Sequence, residues 1–202
     1  MLTDQLAIRK GSRILITGAN SYLGSNIIDL LLELGYNVRG SIRGKKPWLD
    51  RLFEEKYGQG RFETLVTPSL GNPGAFDHSL VDVAGVVHVA SDVSFNPDPN
   101  IVVTPVVAVT LNAPQVASKY PSVKRFVLTS SSSARLTPPA YKKLVVTEGT
   151  WNDAAVAAAW SEHTPPGPVT VYAASKTEGE RAAWKWVEES RPGIVFNAVL
   201  PN

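Results

Sequence analysis

The chain has no cysteine among its 202 residues, which excludes disulfides, thiolate metal sites and cysteine nucleophiles together. Its three histidines, His78, His88 and His163, are too scattered to suggest a metal site without help from carboxylates. Charge of one sign is also missing. Twenty basic residues face 18 acidic ones, a net charge of +2, so the bulk chain gives no reason to expect a nucleic-acid or membrane partner. No apolar run stands out as a membrane span. The opening residues, MLTDQLAIRKGSR, lack the apolar core and small-residue cleavage site of a secretory signal, so the expected location is cytoplasmic. What remains is the composition of a soluble globular protein, 44% hydrophobic and 19% charged, long enough for one domain or a little more.

Short apolar runs alternate with longer amphipathic stretches. RILIT, NVRGSI, RFETLV, GVVHVA, RFVLTS and IVFNAVL read as buried strands. Helices are expected over 22–34, 47–57, 74–83, 99–119 and 169–189. Strands rich in Val, Ile and Leu, joined by helices, imply right-handed crossovers and an α/β fold: a doubly wound parallel sheet with helices on both faces. Ligands of such sheets bind outside the carboxyl ends of the strands. Residues 136–168 interrupt the rhythm with proline clusters and a Trp/Ala-rich helix, an excursion expected to form part of a substrate-pocket wall or a surface loop.

After the first strand comes TGANSYLG. A tight turn there would aim backbone N–H groups and a helix N-terminus at a pyrophosphate, with Gly18 permitting the turn and Gly24 the close packing of helix on strand. Ser21 stands where such turns usually carry glycine. It is expected to weaken binding without abolishing it, to offer a hydroxyl to a phosphate, and to be improved by Ser21→Gly. The second strand ends in VRGSIRGKKP, with no acid to hold a ribose 2′-hydroxyl. A guanidinium suits a 2′-phosphate instead. NADP(H) is therefore the expected cofactor, with Arg43 the leading ligand and Lys46 the second; Arg39 is expected on the strand's solvent face.

Tyr172 and Lys176, in VYAASKTEGERAAWKW, are four apart and share one face of a helix. An ammonium beside a phenol favours the phenolate, which suits a proton donor to a carbonyl oxygen. Upstream, RFVLTSSSSARL ends a strand in four consecutive serines, one of which is placed to hydrogen-bond the same oxygen.

TGANSYLG, HVAS, VLTSSS, YAASK and VLPN, in this order, resemble the extended short-chain dehydrogenase/reductase family. The branch they look most like is that of the fungal NADPH-dependent aldehyde and ketone reductases, related to dihydroflavonol reductases. The resemblance implies a Rossmann domain over residues 1–202 that carries both cofactor site and catalytic set. It implies hydride transfer from NADPH to a small-molecule aldehyde or ketone, with Tyr172 as acid, Lys176 tuning it and a serine polarising the carbonyl. Ser131 matches the catalytic position, and Ser132 and Ser133 stay open. Asn112 matches a structural, sometimes proton-relaying, asparagine. Position matching also brings Asn20, Ser21, Tyr22, Leu23, Ser69, Leu70, His88, Val89, Ala90, Ser91 and Pro201 to the cofactor.

Some positions depart from the family pattern. Ser69 replaces a usual aspartate, Val109 a usual glycine, and Pro114 breaks a helical pattern at a cost of roughly 3 kcal/mol unless a kink absorbs it. Relatives of this kind continue beyond the position of Asn202, so most of the substrate lid is expected to be missing. Two alternatives stay open: a non-catalytic dinucleotide-binding or sensor protein, and nucleotide-sugar epimerase or dehydratase chemistry using the same side chains.

Overall fold

The computed structural model describes residues 6–72, 74–137, 143 and 145–202. Among these residues six strands form one sheet: β1 (Arg13–Thr17), β2 (Asn37–Ile42), β3 (Phe62–Val66), β4 (Val83–His88), β5 (Arg125–Thr129) and β6 (Val195–Val199). The order is β3-β2-β1-β4-β5-β6, with β1 parallel to β2 and β4, β2 to β3, and β4 to β5. This is the doubly wound arrangement, reversing direction after β1. Among the described residues five α-helices join the strands: α1 (Tyr22–Glu33), α2 (Pro47–Tyr57), α3 (Pro99–Ala117), α4 (Asp153–Ala159) and α5 (Pro168–Ser190). The chain divides into two compact units, residues 1–90, 113–128 and 192–197 in one, and 91–112, 129–191 and 198–202 in the other.

In the first unit, β1 buries Leu15 and Ile16 completely, because a central parallel strand is covered on both faces. α1 turns Ile28 and Leu32 inward, four apart on one face, and these join Ile14, Val38, Leu49, Phe53 and Phe62 in one apolar cluster. α1 ends where Gly35 takes a φ of +93°, the left-handed conformation that closes a helix. α2 starts on Pro47, whose missing N–H costs nothing in the first turn.

Two expectations fail here. Residues 74–83 do not form a helix. Gly74 has φ +74°, and the segment runs as turns in which Asp77 N–H donates to Gly74 O and Ser79 N–H to Phe76 O, with Phe76 as its apolar anchor. Arg39 is not on a solvent face either; it is 8% exposed. It lies opposite Glu63 in the β2–β3 register and donates to it through Nε at 2.8 Å, while Nη1 donates to Ser79 O at 3.1 Å and Val81 O at 2.7 Å. Burial of the guanidinium is tolerated because each face of its fork finds an acceptor.

In the second unit, Val102, Val103 and Val106 of α3 pack with Ala159 of α4 and Val171 and Ala174 of α5. α3 runs through Pro105 and Pro114 as one helix, its last turn continuing in the bond from Ser118 N–H to Pro114 O at 2.9 Å. Its mean hydropathy of 1.3 over an 18-residue window makes it long and apolar enough to cross a membrane by composition alone, which corrects the reading that no such run exists. The core helix of a soluble protein passes the same test, and its buried valines face α4 and α5.

Candidate active site

The turn after β1 is built by sterics. Gly18 has φ +68°, and a Cβ there would lie 3.1 Å from the Ala90 backbone. A Cβ on Gly24 would come within 2.3 Å of Gly18 O, so only glycine lets α1 start this close to β1. Ser21 caps α1: its Oγ accepts from Gly24 N–H at 3.0 Å and donates to Gly18 O at 2.7 Å. The single hydroxyl proton is thereby committed to the turn, which removes it from the phosphate role expected of it. The N–H groups of Asn20, Tyr22 and Leu23 have no hydrogen-bond partner among the described residues. All three residues are exposed at the positive end of α1. Three free donors at a helix N-terminus are what an anion would need there, and the fit of a pyrophosphate is tested on them.

Beyond β2, Arg43, Lys45 and Lys46 are exposed and make no ion pair among the described residues. Ser69 is exposed, with its carbonyl accepting from Asn72 N–H at 3.4 Å, and Leu70 is half-buried. At the end of β4 the structure adds a link that sequence reading did not find. Thr17, fully buried, accepts from Val89 N–H at 3.0 Å and Ala90 N–H at 3.1 Å through Oγ1. With both lone pairs used, its own proton goes to His88 Nδ1 at 3.0 Å, which leaves the ring hydrogen on Nε2. Val89 and Ala90 therefore spend their N–H groups on the scaffold. The signal was a buried hydroxyl at a strand end.

The second unit holds Ser131, Tyr172, Lys176 and Asn112. The serine segment is pinned by Ser130 N–H to Val199 O and Ser132 N–H to Pro201 O, both 2.8 Å. Ser130 Oγ is buried without a partner among the described residues. Ser132 Oγ donates to Asn202 Oδ1 at 3.0 Å, and Ser133 Oγ donates to Ser131 Oγ at 2.9 Å. Ser131 Oγ also accepts from Ser133 N–H at 3.2 Å, so it receives two hydrogen bonds and keeps its own proton to give.

Tyr172 is half-buried on α5 with its ring against Phe95, the centroids 5.4 Å apart. Phe95 holds φ +54°, the left-handed region, and no sequence signal marked it. Lys176 is 8% exposed, its Nζ 5.9 Å from the centre of the Tyr172 ring and donating to Thr129 O at 3.2 Å. Burial pushes this amine down from its ordinary 10.5 to about 8, and the charge of Glu180 partly opposes the push. Asn112 is half-buried on α3, and Ser91 Oγ is buried with no partner among the described residues. Of the 136–168 excursion, residues 138–142 and 144 lie outside the described residues. Its other part packs Trp151 under Arg135, 4.0 Å from the ring centre, and α4 against α5. Among the described residues no group of His, Asp and Glu gathers as a metal site.

A parallel sheet that reverses after β1 and a glycine turn opening α1 are the marks of a dinucleotide-binding fold. The chain belongs to the NAD dependent epimerase/dehydratase family, which matches residues 14–201. Its relatives include reductases: a ketoreductase of Aspergillus novofumigatus is 44% identical over 213 residues, and aldehyde reductase 2 of Sporidiobolus salmonicolor 44% over 204. These alignments cover 100% and 98% of this chain but 60% and 59% of the relatives, so the chain spans about three fifths of their length. Among solved structures, yeast methylglyoxal/isovaleraldehyde reductase complexed with NADPH superposes with a TM-score of 0.79 at 32% identity, over 94% of this chain and 57% of that one.

Proposed function

We propose that the protein of which this chain forms at least a part reduces an aldehyde or ketone to an alcohol with NADPH. The observation that carries the proposal is the buried Lys176 ammonium set one helical turn from Tyr172 and 5.9 Å from its ring. When bound, the reduced nicotinamide supplies a hydride to the carbonyl carbon. Tyr172 gives its phenolic proton to the carbonyl oxygen, so hydride and proton together complete the alcohol. Ser131 donates its uncommitted proton to the same oxygen while charge grows there. Lys176, fixed by Thr129 O, remains mostly an ammonium at neutral pH and stabilises the tyrosinate left behind.

The N–H groups of Asn20, Tyr22 and Leu23 would hold the pyrophosphate, and Arg43, assisted by Lys46, would take the 2′-phosphate. The relatives support the reading: the yeast reductase above is an NADPH complex, and the fungal relatives are a ketoreductase and an aldehyde reductase. The test is NADPH consumption with a panel of aromatic aldehydes and β-keto esters, wild type beside Tyr172→Phe. Loss of turnover in Tyr172→Phe is expected, and equal rates would sink the assignment. For the cofactor, Arg43→Ala should narrow the preference for NADPH over NADH in a binding titration; an unchanged preference removes Arg43 from the 2′-phosphate.

A further inference from the structure

α5 carries a second buried charge that the reaction above does not use. Glu180 lies one turn beyond Lys176 on the same face of the helix and is 1% exposed. Its Oε1 accepts from the Arg135 guanidinium and from Trp184 Nε1 at 3.3 Å, while Oε2 is buried with no hydrogen-bond partner among the described residues. A carboxylate buried this far is costly unless its charge is used. Arg135 directly follows the short 3-10 turn Ser132–Ala134, and it also donates to Thr150 O at 3.0 Å. Asn152 Nδ2 donates to Ser133 O at 2.8 Å, which ties the same segment to the start of α4. The segment that holds Ser131 and the helix that carries Tyr172 and Lys176 are thus joined at Glu180.

We infer that Glu180 is a positioning residue for the Ser–Tyr–Lys set, anchoring the serine segment to α5 through Arg135 while its charge supports the buried Lys176 ammonium. The inference rests on the reading of the site given above. Other charged or titratable groups on the elements packed here are Tyr172, Arg135, Glu178, Arg181 and Asp153, with Lys185, Glu188 and Glu189 in the last turns of α5. Arg181 pairs with Asp153, and Glu178 accepts from Trp160 Nε1 at 3.1 Å. Glu180 is the carboxylate whose side chain is fully buried beside them.

The experiment is an NMR titration of the chain labelled with carbon-13 at lysine Cε, with the Lys176 signal assigned by its loss in Lys176→Met. Glu180→Gln should move the Lys176 midpoint below about 8, because the favourable charge is gone. Simple loosening of the site would admit water and move it the other way, toward 10.5, so an unchanged or raised midpoint overturns the inference. Glu180→Asp keeps the charge and should titrate nearer to wild type than Glu180→Gln; coincidence of the two variants counts against it.

Should Glu180→Gln fail to fold, Arg135→Met carries the test. With the carboxylate kept and its guanidinium removed, the midpoint rises and amide exchange of residues 131–135 quickens. A falling midpoint or unchanged exchange contradicts the anchor. In turnover, Glu180→Gln should lower kcat by about 10- to 100-fold at unchanged KM for NADPH, the scale of a small misplacement of reacting groups. The titration needs no turnover, so the proposed function is judged by turnover and this inference by the midpoints, and the failure of one is distinguishable from the failure of the other.

Discussion

Ser21 is the position at which geometry reverses what the pattern of glycines suggests. Its Oγ closes two hydrogen bonds inside the turn, accepting from Gly24 N–H at 3.0 Å and donating to Gly18 O at 2.7 Å. Alanine removes both. Losing a serine cap costs about 1 kcal/mol, whereas glycine in its place costs roughly a few tenths. At 202 residues, the alanine cost lowers Tm by about 2–4 °C. For ligand binding, a hydroxymethyl that obstructed a phosphate would make Ser21→Gly bind NADPH more tightly. With the side chain turned back onto Gly18 and Gly24, there is no obstruction to remove, and the loosened turn presents the N–H groups of Asn20, Tyr22 and Leu23 less firmly. Thermal unfolding of the free protein and a fluorescence titration with NADPH read the two effects separately. The expected order of stability is wild type, then Ser21→Gly, then Ser21→Ala, with neither variant binding NADPH more tightly than wild type. Tighter binding by Ser21→Gly, or an undiminished Tm for Ser21→Ala, would refute the reasoning.

Gly24→Ala places a methyl 2.3 Å from Gly18 O and should destabilise by about 1–3 kcal/mol while abolishing NADPH binding by calorimetry; wild-type affinity would show that the turn can shift. Arg39→Met leaves the carbonyls of Ser79 and Val81 without this donor and Glu63 with Arg13 alone, a loss of about 3 kcal/mol in denaturant unfolding; a loss within error would mean the carbonyls find other partners. Lys176 gives stability a pH dependence. Its folded value of about 8 lies below the unfolded 10.5, so between these the unfolded chain binds more protons and stability rises with pH. Wild type should gain on Lys176→Met across that window, and a constant difference would place the amine in water.

All six strands were legible as apolar runs, because a parallel sheet covered on both faces needs near-continuous Val, Ile and Leu. The run 74–83 misled for lack of any local sign that Gly74 would adopt a left-handed φ and that Phe76 would anchor turns. Arg39 misled because a charged residue in a strand ordinarily faces water, and its partner Glu63 becomes visible only once β2 and β3 are in register. The glycines, Tyr172 and Lys176 were readable since their spacing alone brings them onto one turn or one helix face. Thr17 joining His88, or Arg135 joining Glu180, could not be read: each links residues tens of positions apart through bonds that only the fold closes. The serine run shows both sides. Sequence placed four hydroxyls at a strand end, and hydrogen-bond accounting separates Ser131, which keeps its proton, from Ser132 and Ser133, which give theirs away.

The central claim, carbonyl reduction with Tyr172 as the acid, is met most directly by isotope transfer. The chain is incubated with NADPH deuterated at the nicotinamide C4 and an aromatic aldehyde, and the product alcohol is examined by mass spectrometry. The account predicts deuterium on the carbinol carbon with wild type and none above background with Tyr172→Phe; equal deuterium from both proteins, or none from a wild type shown to bind NADPH and the aldehyde, would contradict it.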